Sequence, residues 1–270
     1  MHPKTILQHY NIQPKKSLGQ NFLFDPHVLG RIVSAGDVVA TDRVLEIGPG
    51  LGALTEVLAK TAVSVTAVEL DQRFFPILNA QLAPFDNVQL IHGDILDQNP
   101  SELFNEPYKV VANVPYYITG AILRHLLSAK QKPTCMVMTV QKEVAERLTA
   151  VPPNMSLLAV SVQYYGQAKI VDTIKAGAFW PRPDVDSAVI RIDIADQPQV
   201  DEKTFFRVAK AGFSQKRKQL KNNLTQLSLS AQKVATLLEN ANIDGRRRAQ
   251  TLPIAEWQQL TTSFKSLSGS

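Results

Sequence analysis

Three short stretches carry residue types suited to holding a nucleoside-like cofactor and activating an amine. The first is Glu46-Ile47-Gly48-Pro49-Gly50-Leu51-Gly52, a glycine-rich turn between an apolar run and a helical pattern. Glycines there permit φ > 0 and let the backbone approach a ligand closely. Glu69 falls 21 residues after Gly48, the separation at which an acid can hold both hydroxyls of a ribose. The spacing is G-x-G-x-G, not the G-x-G-x-x-G of dinucleotide binders, and an acid precedes the first glycine. That pattern suits a cofactor without a pyrophosphate, S-adenosylmethionine rather than NAD. The same stretch also reads as a plain tight turn; the strand, the helix and the spaced acid favour the cofactor. The second stretch, His92-Gly93-Asp94, follows another apolar run. Asp94 is either a ligand contact at the crevice or an Asx turn capping the next helix.

The third stretch is Asn113-Val114-Pro115-Tyr116. An Asn side chain supplies an acceptor, and a neighbouring backbone carbonyl a second one. Two acceptors aimed at an exocyclic amine hold its hydrogens and localise the lone pair on nitrogen. A conjugated amine then becomes an attackable nucleophile without a strong base. Pro115 fixes the turn, and Tyr116 offers a flat face on which a flipped base can stack.

These stretches need a sheet to position them, and the pattern predicts one. Arg43–Ile47, 63–68, 88–91, Lys109–Ala112 and Cys135–Val140 read as strands, with helical patterns after the first, fourth and fifth. Two later strands, 169–171 and Ser187–Ile194, complete an α/β sheet of the parallel, Rossmann-like class. Ligands of such sheets bind outside the carboxyl ends of the strands. Ala195 to Gln199 is polar, contains Pro198 and marks a boundary. Beyond it helices are expected over 204–213, 216–227, 230–241 and 254–264. The predicted domains are thus 1–195, an α/β catalytic domain with an N-terminal arm, and 196–270, a small all-α C-terminal domain.

Charge separates along the same line. Residues 1–200 hold 17 Lys+Arg against 19 Asp+Glu, and residues 201–270 hold 12 against 5. A polyanion, foremost a nucleic acid, is the partner such asymmetry suggests, a solvated basic face being the alternative. Cys135 is the lone cysteine, which excludes an intramolecular disulfide, and the five histidines lack metal-ligand spacing, so no metal is assigned. No apolar run is long enough for a membrane span and the first dozen residues lack a signal-peptide stretch, so a cytoplasmic protein is expected.

The motifs occur in an order that resembles the ribosomal RNA small-subunit adenine N6,N6-dimethyltransferase family. Gln20-Asn21-Phe22-Leu23-Phe24-Asp25, Val44 to Gly52, Val68-Glu69-Leu70-Asp71, Gly93-Asp94 and Asn113 to Tyr116 carry the likeness. Val140 to Leu148, Phe179 to Val189 and Phe213 to Leu224 continue it, so that it spans roughly residues 17–260. It implies a Rossmann-like S-adenosylmethionine-dependent methyltransferase. The expected substrate is a pair of adjacent adenosines near the 3′ end of small-subunit (16S) rRNA in a pre-30S particle, four methyl groups being transferred in all. It further implies that Asn21, Leu23, Gly48, Glu69, Asp94 and Asn113 line the cofactor site. Glu69 would take the ribose hydroxyls, Asp94 the adenine amine, and Asn113 would sit between cofactor and target. Phe179 matches the aromatic that stacks on the target base opposite Tyr116; from the residues alone, Phe179-Trp180-Pro181 reads as a loop with an aromatic pair or as core packing. Val114, Tyr117, Gly120 and Gln250 depart from the family's usual wording.

The RNA end rests on charge. Lys216, Arg217, Lys218 and Lys221 form a basic segment opening a helix whose Leu220, Leu224 and Leu227 pack inward, and Arg246, Arg247 and Arg248 form a second cluster. Such clusters hold phosphates with little sequence readout. Lys15 and Lys16 could add a contact from the N-terminal arm. A monomer suffices. The alternatives are an erythromycin-resistance-type 23S rRNA adenine N6-methyltransferase, a DNA adenine methyltransferase, and a non-catalytic RNA-binding assembly factor. The 179–187 stretch and the 213–224 segment favour the small-subunit enzyme over the first two. The intact set Glu69, Asp94, Asn113 and Tyr116 argues against the last.

Overall fold

The computed structural model describes residues 2–195 and 200–268, with the backbone alone at Tyr116 and Ser268. The chain divides into two compact units, residues 1–145 with 168–194, and residues 146–167 with 195–270. The first opens with α1 (Pro3–His9), the short strand β1 (Phe22–Leu23) and α2 (Pro26–Ala35). There follow β2 (Arg43–Ile47), α3 (Ala53–Ala59), β3 (Ser64–Glu69), α4 (Phe75–Leu82), β4 (Val88–His92), α5 (Pro100–Leu103), β5 (Lys109–Asn113), α6 (Thr119–Leu127) and β6 (Cys135–Gln141). After α7 (Lys142–Leu148) and α8 (Leu157–Gln163) come β7 (Gly166–Ile174), β8 (Phe179–Trp180) and β9 (Ser187–Ile194). The chain ends in α9 (Glu202–Gly212), α10 (Leu220–Leu224), α11 (Ala231–Asn240) and α12 (Ile254–Ser268).

Seven strands make one sheet in the order β4-β3-β2-β5-β6-β9-β7. The five from β4 to β6 run parallel, and β9 joins β6 antiparallel, with Met138 opposite Ile190. The β-branched runs of the inner parallel strands are buried on both faces, Val44, Val65, Val110 and Val111 being at most 1% exposed, whereas the edge strand β4 is only partly covered. One face is covered by α2 and α3 through Val28, Leu29, Ile32, Leu54 and Leu58. Each such aliphatic side chain contributes about 1.5–3 kcal/mol on leaving water. Helix α2 starts where Asp25 accepts from the His27 N–H at 2.9 Å and Pro26 occupies the first turn.

From β2 the chain winds outward to β3 and β4, then returns to the other side of β2 at β5. The reversal opens a crevice above the carboxyl ends of β2 and β5. Every stretch singled out for chemistry ends at that edge: Gly48 follows β2, Glu69 closes β3, Asp94 follows β4 and Asn113 closes β5.

Among its described residues the second unit has helices as its regular elements, apart from the first two residues of β7. The boundary expected at 195 is where its longer segment begins, but this unit also takes in residues 146–167. The reason is α8: Ser156 caps it, Ala159, Val160 and Val162 are buried, and Tyr164 stacks on Phe205 of α9 at 4.3 Å. Residues 196–199 of the expected linker lie outside the described residues. The helix expected over 216–227 is shorter. The Asn223 amide donates to the carbonyls of Gly212 (2.6 Å) and Gln215 (3.0 Å), and the Leu220 N–H goes to Arg247 O at 2.7 Å. Residues 214–218 are held as a turn, and α10 begins only at Leu220. Leu220, Leu224 and Leu227 are buried as expected.

Candidate functional site

A cavity of about 460 Å³ occupies the crevice, within the range of about 300–1,000 Å³ usual for small-molecule sites. Asn21, Leu23, Gly48, Glu69, Asp94, Asn113 and Pro115 all line it. The turn after β2 is built on left-handed glycines, Gly48, Gly50 and Gly52 at φ +68°, +58° and +84°. At Gly50 a Cβ would also meet the Phe22 ring at 3.2 Å, so the turn tolerates no side chain there.

Glu69 organises this turn. Its Oε2 accepts from the Gly50 N–H at 2.9 Å and its Oε1 from the Asp71 N–H at 2.8 Å. The carboxylate is 6% exposed, and burial raises its pKa against the pull of those two N–H groups. Each oxygen keeps further acceptor capacity, which suits a pair of ribose hydroxyls. Asp94 does two things at once: Oδ1 caps the short turn at Ile95–Asp97 by accepting from Leu96 N–H at 2.9 Å, and the residue lines the cavity.

Asn113 stands at the end of β5 with its Nδ2 3.3 Å from the Asn21 carbonyl oxygen. A carbonyl only accepts, so the amide nitrogen must face Asn21, and the acceptor oxygen is turned elsewhere. The backbone after it is carried by Pro115 at φ −59° into a short 3-10 turn. The Tyr116 side chain, expected to stack on a base, lies outside the described residues. Tyr117 beside it is 60% exposed and lines the cavity.

Phe179 takes the core-packing reading of the two that the residues allowed. It lies not in a loop but in β8, opposite Leu23 of β1, and its ring is 3% exposed in the core with Leu23, Val28 and Val33. The structure does not bring it to the cavity: a strand pair buries the ring that a loop would have left free.

Sequence reasoning used Glu46 only as the acid before the first glycine and assigned it no contact. It is 1% exposed, lines the cavity, and its Oε2 has no hydrogen-bond partner. Burial, opposed by the nearby Thr55 hydroxyl and reinforced by the Glu69 charge, pushes its carboxyl up to about 8. Its signal was an acid inside an otherwise apolar strand.

In the second unit, Lys216, Arg217, Lys218, Lys221 and Arg248 are exposed. The backbone bonds from Leu220 N–H to Arg247 O and from Lys221 N–H to Gly245 O bring the two basic clusters side by side. Arg246 chelates Asp244 at 3.0 Å, and Arg247 pairs with Glu256 at 2.9 Å while donating to Thr251 O, so Arg247 braces the unit. Lys15 and Lys16 are exposed. Among the described residues no group of His, Cys, Asp and Glu could hold a metal, and no helix is long and apolar enough to cross a membrane.

Residues 11–265 match the family described as ribosomal RNA adenine dimethylase. A ribosomal RNA small subunit methyltransferase A from Dehalococcoides mccartyi is 45% identical over 97% of this chain and 92% of its own. One from Bacillus pumilus is 44% identical over 96% and 94%. Among solved structures, the 23S rRNA methyltransferase ErmE superposes with a TM-score of 0.76 at 27% identity, covering 91% of this chain and 100% of its own. A dimethyladenosine transferase from Plasmodium falciparum shares the fold at TM-score 0.82 and 23% identity, over 92% and 98%.

Proposed function

The chain belongs to the ribosomal RNA adenine dimethylase family, and from that premise we propose how its residues carry out the reaction. It is an S-adenosylmethionine-dependent rRNA methyltransferase that dimethylates adenine N6 of 16S rRNA. We further infer that two adjacent adenosines near the 3′ end are the targets, in a cytoplasmic pre-30S particle, and that the enzyme works as a monomer.

The observation that carries the reading is one cavity at the carboxyl edge joining Glu69, Asp94 and an Asn113 amide of fixed orientation. The acceptor set fits the cofactor. Glu69 would accept from ribose hydroxyls, Asp94 from the adenine amine, and the unsatisfied Glu46 Oε2 from an ammonium group; Asn21, Leu23 and Gly48 line the same cavity. When bound, S-adenosylmethionine supplies an electrophilic methyl group.

The protein's part is to present the amine. Asn113 Oδ1 and the backbone carbonyl following it accept the two N6 hydrogens, so the nitrogen lone pair leaves conjugation and faces the methyl group. Methylation would leave the nitrogen cationic, the electron pair of the broken carbon–sulfur bond staying on the cofactor's sulfur, and the nitrogen would then shed a proton to solvent. After one transfer a single N6–H remains, and one acceptor suffices to orient it for the second. Tyr116 gives the stacking face for the flipped base. Phosphates are held by Lys216, Arg217, Lys218, Lys221, Arg246 and Arg248, and the adjacency of the two clusters supports that role. Neutralising Lys216, Arg217 and Lys218 together is expected to weaken RNA binding and flatten its dependence on log salt; an unchanged slope returns them to a solvated face.

The reading is tested by transfer of labelled methyl groups to undermethylated small subunits, with large subunits alongside and digestion to nucleosides. N6,N6-dimethyladenosine from small subunits alone is expected. Label in large subunits alone points to the erythromycin-resistance activity, and binding of cofactor and RNA without transfer to an assembly factor.

A further inference from the structure

Residues 13–21 form a strap whose last four members line the cavity, and two of them, Gly19 and Asn21, lie against the reactive loop. Gly19 adopts φ +59°, and a Cβ there would meet Pro115 Cβ at 3.2 Å; the strap backbone therefore lies directly on the Asn113–Tyr116 loop. Asn21 gives its carbonyl oxygen to the Asn113 amide at 3.3 Å. Gln20, between them, points the other way: its Nε2 donates to Asp71 Oδ2 at 2.8 Å, and its Oε1 accepts from the Lys15 N–H at 2.7 Å.

Asp71 is a firm anchor. Its side chain is 4% exposed, and Arg73 grips it with Nε at 2.8 Å and Nη2 at 2.6 Å. Arg73 Nη1 also donates to the Gln13 carbonyl at 3.1 Å, so both ends of the strap return to one short segment after β3. The Asp71 N–H in turn donates to Glu69 Oε1 at 2.8 Å. A bidentate Arg–carboxylate pair fixes direction as well as distance. Hydrogen bonds thus join Glu69 to the Asp71 backbone, the Asp71 side chain to Gln20, and the carbonyl of the next residue, Asn21, to the Asn113 amide, the chain itself connecting Gln20 to Asn21.

We propose that Gln20 and Asp71 are positioning residues for methyl transfer: their hydrogen bond holds the strap so that the Asn21 carbonyl fixes which end of the Asn113 amide faces the target amine. This rests on the proposed role of Asn113. A strap that shifts lets the amide rotate and present N–H2 to a donor, which loses the nucleophile's orientation without removing a group from the reaction. The Asp71 N–H that serves Glu69 is a backbone group and survives side-chain substitution, so cofactor affinity changes less than turnover.

Full-length variants are assayed for kcat on undermethylated small subunits, for cofactor Kd by calorimetry, and for Tm. Gln20→Glu sets two carboxylates against each other, and kcat is expected to fall on the order of 10- to 100-fold, the range in which misplacement costs rate. The cofactor Kd is expected to move less than about threefold. Adding Asp71→Asn to Gln20→Glu reverses the polarity of the bond: the new amide at position 71 donates to the new carboxylate at position 20, Arg73 Nε keeps the remaining oxygen, and the Arg73 Nη2 bond is lost. That double variant is expected to recover part of the lost kcat. Wild-type kcat in Gln20→Glu overturns the inference, as does failure of Asp71→Asn to rescue, or a loss of kcat that follows a fallen Tm. Asn113→Ala serves as the control. Activity in Asn113→Ala removes the reading beneath; inactivity there beside a fully active Gln20→Glu removes the strap's role alone.

Discussion

The two edges of the same sheet treat charge in opposite ways. At the amino-terminal edge of the parallel strands, charges are matched. Arg43 pairs with Glu106 at 2.6 Å, and Lys109 reaches Asp42 at 2.8 Å and the Asp37 carbonyl at 2.7 Å. Arg191 is divided among Asp37, Asp193 and the Ala35 carbonyl. At the carboxyl-terminal edge stand Glu46, Glu69 and Asp94, and among the described residues none of the three forms an ion pair. Glu69 is served by backbone N–H groups, and one Glu46 oxygen by nothing. Burying carboxylates without cations costs stability. These three acids, which line the cavity, bear that cost where donors of a ligand can offset it, so their unmet acceptor capacity marks the working edge, while Asp71 just beyond β3 is matched by Arg73 as the charges of the supporting edge are.

The widest separation between the edges is expected from Asn113→Ala. Transfer is expected to fall at least about a thousandfold, in line with loss of a group that acts on the transition state. Cofactor affinity should stay within about tenfold, or ~1.4 kcal/mol; near-normal single-turnover rates would break the assignment of chemistry to this edge. Next comes Glu69→Gln, which keeps the volume but removes the charge and one acceptor. Cofactor Kd should weaken by about 10- to 100-fold, the range for losing hydrogen bonds to a charged group. An unaltered Kd in calorimetry would show that Glu69 only braces the Gly50 turn.

How much of this was legible beforehand follows the same division. The strands, and Gly48, Glu69, Asp94 and Asn113 with them, could be read because strand-end chemistry must recur at fixed offsets from apolar runs of period two or continuous burial. Asp94 shows the limit: cap and cavity wall were posed as rivals, and one carboxylate does both. Glu46 was visible as an acid in a strand, but its meaning depends on burial, which no spacing encodes. Gln20 and Asp71 lie 51 positions apart, and their bond exists only once the strap folds back across β3. Phe179 was left between loop and core because a two-residue strand is too short to show alternation. The Lys216–Lys218 turn misled because the Asn223 amide, a tertiary contact, overrode a helical pattern.

Glu46→Gln sharpens the comparison through pH. The wild-type carboxyl titrates near 4.5 unfolded and at about 8 folded, chiefly because of burial. Between those values the folded protein keeps a proton that the unfolded chain has released. Stability linked to Glu46 is therefore fully present below about 4.5, falls as pH rises, and levels off above about 8. The slope is at most ~1.4 kcal/mol per pH unit. Glu69, also raised by burial, adds a slope of the same sign in both proteins. Urea unfolding from pH 5 to 9 should give Glu46→Gln a flatter profile and a gain of a few kcal/mol over wild type at pH 8. Parallel profiles would mean that the carboxylate is not strained.

The smallest effect belongs to the other edge. Lys109→Met removes the cation facing Asp42 while keeping the apolar stem that packs along β5. Both partners are mostly covered, 17% and 19% exposed, so the pair is worth more than a surface contact but less than a fully buried one. Arg43 lies beside Asp42 in the chain and is already engaged by Glu106, so Asp42 keeps a cation nearby, and the loss should be about 1–2 kcal/mol. Turnover and cofactor Kd should both match wild type, because Lys109 lies at the opposite end of the strand that carries Asn113. Should kcat fall in Lys109→Met while Tm holds, the amino-terminal edge would be acting on the chemistry through β5. The division of labour between the two edges would then be wrong.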